Sequence, residues 1–134
     1  MRLALTLAAA LLATPTLADE VWTSQMGDIV YETEDNGAAI LSFTNLDGYP
    51  ARLFIPGLAG NYSNRGIHEA FWLGEGAGTC PVFMTAPGEG FGTTDWGRAT
   101  VSFDKPGFPS SLTITLGWCF EEPREAFRGN TTAN

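Results

Sequence analysis

Ile29-Val30-Tyr31-Glu32-Thr33-Glu34-Asp35-Asn36-Gly37-Ala38-Ala39-Ile40-Leu41-Ser42-Phe43-Thr44 is the stretch on which the reading of the fold turns. Two strand-like runs flank Asp35-Asn36-Gly37. Asn-Gly supplies the two positive φ angles of a primed turn, so the stretch reads as a β-hairpin. Downstream, Asn45-Leu46-Asp47-Gly48 is a second turn, and Arg52-Leu53-Phe54-Ile55 is a third strand closed by Pro56-Gly57, which makes a three-stranded meander. After a loop over 57–66, His68 to Leu73 reads as a strand and Cys80 to Thr85 as the next, with Gly74, Gly76 and Gly78 between them. A glycine-rich segment over 87–97 precedes Arg98 to Asp104, where Ala99, Val101 and Phe103 alternate with Thr100 and Ser102. In the last run, Leu112, Ile114, Leu116, Trp118 and Phe120 occupy every second position, one apolar face of a strand. Roughly seven or eight short strands without a helical period predict an all-β domain, a small antiparallel β-barrel or sandwich.

The two ends of the chain bound the domain. Met1-Arg2, an apolar run from Leu3 to Leu12 broken by Thr6, and Thr16-Leu17-Ala18 make up a cleavable signal peptide over residues 1–18. That run is too short for a membrane span, so the expected product is exported, to a periplasm or to the extracellular space. Cleavage leaves 116 of the 134 residues, one domain over 19–120 and a polar tail over 121–134 expected to fray. Cys80 and Cys119 are the two cysteines, and in an oxidising compartment they predict one disulfide.

Charge narrows the partners. Loss of Arg2 reduces the seven Lys and Arg to six against fifteen Asp and Glu, moving the formal charge from −8 to −9. Nucleic acid and anionic lipid are disfavoured, and a basic protein is the partner that such a charge attracts. Chemistry is sparse. His68 is the one histidine, so a hydrolase mechanism would depend on it alone, and no enzyme activity is expected. Neither zinc nor calcium ligand spacing is present, and no metal or cofactor is expected. Gly74-Glu75-Gly76-Ala77-Gly78 lacks a following lysine and precedes a strand, so it reads as a turn and not a phosphate loop. Of the four tryptophans, Trp118 reads as core, whereas Trp96, in the glycine-rich loop, is expected to be partly exposed; with Trp72, between Glu69 and Glu75, it would suit a glycan or small ligand.

From Pro56 to Ala77 the sequence resembles the periplasmic or membrane-anchored inhibitors of C-type lysozyme. That family has a Ser-Gly-x-x-Tyr loop, a strand ending Phe-Trp or Trp-Trp, then Lys-Gly-x-x-Ala. Here stand Ala59-Gly60-Asn61-Tyr62, Phe71-Trp72-Leu73 and Gly74-Glu75-Gly76-Ala77. Ile29-Val30-Tyr31 and Ala39-Ile40-Leu41-Ser42-Phe43 are similar to its opening strands, so the resemblance covers residues 28–77. It implies a barrel of about eight strands that binds a lysozyme through the loop over 57–65 and neighbouring turns. The departures are Ala59 at the serine position, a loop one residue shorter, Gly74 or Glu75 in place of the lysine, and Tyr31-Glu32-Thr33 without the family's early cysteine. The expected function is a secreted or periplasmic binding protein of the lysozyme-inhibitor type, with Ala59, Gly60, Asn61, Tyr62, Ser63, Trp72, Gly74, Glu75 and Trp96 as its binding residues. The alternative is a glycan- or small-ligand-binding module built on exposed tryptophans.

Overall fold

The hairpin turn forms as the Asn-Gly pair dictates: Asn36 and Gly37 both have positive φ, 51° and 83°. In the computed structural model, which describes residues 20–61, 65–86 and 92–132, it joins β2 (Ile29–Asp35) to β3 (Ala38–Thr44). The other elements are β1 (Val21–Thr23), β4 (Pro50–Ile55), β5 (Ile67–Gly74), β6 (Met84–Thr85), β7 (Gly92–Thr93), β8 (Trp96–Phe103), β9 (Leu112–Leu116) and β10 (Glu125–Thr131). Eight of them close an antiparallel barrel in the order β1-β10-β9-β8-β5-β4-β3-β2, while β6 and β7 pair separately. Closure leaves no free edge in the main sheet. The expected signal peptide lies outside the described residues, among which no helix is long and apolar enough to cross a membrane.

Alternation fills the interior. Leu112, Ile114 and Leu116 of β9, Ala99, Val101 and Phe103 of β8, and Ala51, Leu53 and Ile55 of β4 join Trp22, Tyr31, Leu41, Phe43 and Trp72 in one buried cluster. Each end of the barrel is closed by polar groups that find partners. At the end carrying the turns at 36–37, 56–61 and 104–111, Leu58 is buried and the Arg65 guanidinium is held by both oxygens of Glu20, at 2.6 and 3.1 Å. Arg65 also lies over the rings of Phe103 and Phe108, 4.9 and 5.2 Å from their centroids. At the opposite end the Trp72 indole N–H donates to the Gly117 carbonyl at 2.8 Å. Gly97 has to be glycine there, because a Cβ would run into that carbonyl and the indole nitrogen.

A second apolar cluster lies outside the barrel wall. Ile40, Phe54, Leu73 and Trp96 are buried with Cys80 and Ala86, and Phe71, Met84 and Cys119 pack against them. The disulfide Cys80–Cys119, with Cα atoms 5.4 Å apart, ties this covering segment to the turn after β9. The all-β barrel with one disulfide is therefore as expected.

Three local expectations are corrected. Residues 125–131 of the expected polar tail form β10, which pairs with β9 and β1 and closes the barrel. The strand is hard to see because its inward positions are Phe127 and Gly129, and a Cβ on Gly129 would come within 2.9 Å of Ile29 and 3.0 Å of Leu112. The expected strand over Cys80 to Thr85 shrinks to Met84–Thr85; Pro81 cannot donate to a ladder, and Cys80 bonds to Thr94 instead. The last patterned strand stops at Leu116, since Cys119 takes a φ of 58° and turns the chain, leaving Trp118 half-buried and Phe120 exposed.

Candidate functional site

Strands β4 and β5 carry the non-alternating runs Leu53-Phe54-Ile55 and Phe71-Trp72-Leu73. Every second residue of each run points into the barrel, so the intervening Phe54, Phe71 and Leu73 are apolar side chains on the outer wall. Register lines them up across strands: Thr33, Ile40, Phe54, Phe71 and Arg98 form one row, and Ser42, Arg52, Leu73 and Trp96 the next. The rings of Phe54 and Phe71 stack at 5.0 Å with 9° between planes. The disulfide-held segment covers the end of the second row: the Trp96 indole donates to Val82 O at 2.9 Å, and the Phe120 ring stands edge-on to Trp96 at 4.9 Å.

In the first row Ile40 and Phe54 are buried as well, and Phe71 is half-buried. Over this row lies a groove of about 160 Å³, lined by Asp35, Asn36, Ala38, Ile40, Phe54, Pro56 and Phe71. It runs between the β2–β3 hairpin tip and the root of the 57–65 loop. The two are bonded together, Gly57 N and Ala59 N both donating to Gly37 O, at 3.1 and 3.2 Å. Arg98, beyond Phe71 in the same row, donates to the Phe120 carbonyl at 3.3 Å. The wall formed by β9 and β10 is different: it presents Thr113, Thr115 and Arg128, and Arg128 pairs with Asp104 at 2.6 Å.

The residues expected to bind do not converge. Ala59 and Gly60 lie on a single 3₁₀ turn over Ala59–Asn61, half-buried and exposed respectively. Tyr62 and Ser63 lie outside the described residues. Gly74 is buried and Glu75 exposed, at the other end of β5, with Glu75 N donating to Pro50 O at 3.0 Å. The eight residues of β5 separate the loop from this turn, about 26 Å at 3.3 Å per residue. Trp72 is fully inside the barrel, and Trp96, expected to be partly exposed, is 2 % exposed. Its position at the start of β8 points it outward, but Val82 and Phe120 cover it.

The glycine-rich turn is organised by a carboxylate. Asp95 is buried and its Oδ2 accepts from Gly76 N at 2.8 Å. A Cβ on Gly74 or Gly76 would collide with that side chain, which is why both are glycine. Burial raises the Asp95 pKa above the ordinary aspartate value, the Gly76 N–H opposes that rise, and the nearby Asp47 adds to it. His68 sits at the other end of β5, its Nε2 against the Arg65 carbonyl and its ring edge-on to Phe103.

Sequence reading missed the outer-wall groove, the buried Arg65–Glu20 pair and the role of Asp95. The groove had a signal, the loss of alternation in β4 and β5. The ion pair had none, because nothing local links residues 45 positions apart. Compared with protein-family models, with curated proteins and with solved structures, the chain has no match in any of the three.

Proposed function

We propose that this chain is an exported binding protein of the lysozyme-inhibitor type, which takes a basic protein onto the outer wall of β3, β4 and β5. The groove over Ile40, Phe54 and Phe71 carries the reading: it is concave and apolar, its rim bears a carboxylate, and it adjoins the loop that the family resemblance marks. The split of the expected site supports the same wall. A partner that touches both the 57–65 loop and the Glu75 turn has to cover the strands between them. Charge supports the choice of partner, since a chain of formal charge −8 attracts cationic proteins and resists acidic ones. Buried Trp72 and Trp96 give no support to a glycan module built on them.

The test is calorimetric titration of the mature protein with a C-type lysozyme, alongside residual muramidase activity. Binding is expected to weaken several-fold between about 50 and 200 mM salt, as screening shortens the reach of the charges. Ala38→Lys, which puts a cation into the groove, is expected to weaken it by about tenfold or more. Absence of binding at about tenfold molar excess and low salt contradicts the lysozyme as target.

A further inference from the structure

We infer that the outer-wall groove is a socket for one cationic side chain, a lysine or arginine of the basic partner, with the aliphatic stem on Phe54 and Phe71 and the charged head at Asp35. The inference rests on the binding reading above and names what the groove receives.

Size comes first. Pockets that hold cofactors or drug-sized ligands run to about 300–1,000 Å³, and this one is about 160 Å³. A groove of that size suits a single extended side chain and not a whole ligand of that kind. A lysine side chain has four methylenes and one nitrogen.

The lining then selects the chemistry. Ala38, Ile40, Phe54, Pro56 and Phe71 present carbon along the length of the groove. An alkyl stem gains by leaving water there, and long cationic side chains bury their stems while keeping the head wet. Asp35 and Ala38 are paired across the hairpin, so the carboxylate stands on the same sheet face as the apolar floor, at its rim. The nearest cation in the row, Arg98, lies on the far side of Phe71 and is turned to the Phe120 carbonyl. An anionic or acidic side chain would meet Asp35 with like charge, and an uncharged alkyl group would forgo the attraction. The negative charge of the whole chain brings a cationic surface toward this wall before any socket contact forms.

The test uses the oxidised mature protein and two small probes of equal length, n-butylammonium and n-butanol, followed by backbone and aromatic NMR shifts. The expected result is a saturable shift with n-butylammonium confined to Ala38, Ile40, Phe54 and Phe71, and weaker binding of n-butanol. Asp35→Asn, which keeps the turn-forming side-chain shape, should weaken n-butylammonium by about threefold to fivefold without changing the melting curve. Ala38→Leu, which fills the groove, should abolish the shifts. The inference is overturned if wild type gives no saturable shift, if n-butanol binds as tightly, or if Asp35→Asn binds n-butylammonium as wild type does. A lysozyme that binds while n-butylammonium does not removes the socket and leaves the binding reading standing. n-Butylammonium that binds while no basic protein does has the opposite meaning.

Discussion

The molecule holds two apolar clusters, one inside the barrel and one on its outer wall, and they are built to different rules. Inside, each strand contributes alternate residues, and both ends are closed by paired polar groups, Arg65 with Glu20 and the Trp72 indole with Gly117. Outside, the described residues that cover Ile40, Phe54, Leu73 and Trp96 include a segment with a two-residue strand pair, fastened by the disulfide. The groove lies over Ile40, Phe54 and Phe71 of the same wall. The inside cluster is the one that folding needs complete; the outside one reaches the surface at the groove, where Ala38 and Phe71 are half-buried, and that is where a partner gains by burial.

The sharpest way to break the inside half of this contrast is Glu20→Gln. It leaves the Arg65 charge buried without its counter-ion, a change that costs about 3–5 kcal/mol in such pairs, and Glu20 and Arg65 are 4 % and 1 % exposed at their side chains. Chemical denaturation should show it as a large loss of stability, whereas Glu20→Leu with Arg65→Met should recover much of it. Equal stability of Glu20→Gln and wild type would mean that the pair does not close the barrel.

The outside half is tested by removing the staple. Cys80→Ala with Cys119→Ala opens a 39-residue loop, and chain entropy sets the loss at up to about 4 kcal/mol. The distinctive expectation is local. Exchange protection should fall around Cys80, Met84 and Trp96 while the β8–β9–β10 side of the barrel keeps its protection. Uniform loss would make the two clusters one cooperative unit.

The smallest expected effect concerns Asp95. Its pKa is raised in the fold, chiefly by burial, so its contribution to stability is present below the unfolded value and is lost as pH rises through the folded value. Asp95→Asn keeps an acceptor for Gly76 N and removes the buried charge. Its melting temperature should therefore exceed that of wild type slightly at about pH 7 and match it at about pH 3. A variant less stable at neutral pH would show that the charge itself holds the Gly74–Gly76 turn.

The same contrast explains what sequence reading could reach. β9, with one face inside and one in solvent, alternates without exception from Leu112 to Leu116 and is read directly. β2 and β3 announce themselves through Asn36-Gly37. β10 is hidden because Ile29, Leu112 and Trp22 leave room only for Gly129 where a strand pattern leads one to look for a large residue. Trp96 differs for the opposite reason: it sits among glycines, and residues distant in sequence, Val82 and Phe120 among them, bury it. The candidate site shared that fate. Its loop was visible at Ala59 and Gly60, but its floor comes from Ile40, Phe54 and Phe71, three strands whose adjacency is a matter of register.

The most direct measurement of the central claim is the NMR shift map of the mature protein at saturation with a C-type lysozyme. Perturbation is expected at Ala38, Ile40, Phe54 and Phe71 and none at Thr113, Thr115 and Arg128 on the opposite wall. Perturbation centred on Thr113, Thr115 and Arg128, with the Phe54–Phe71 wall unchanged, would contradict it.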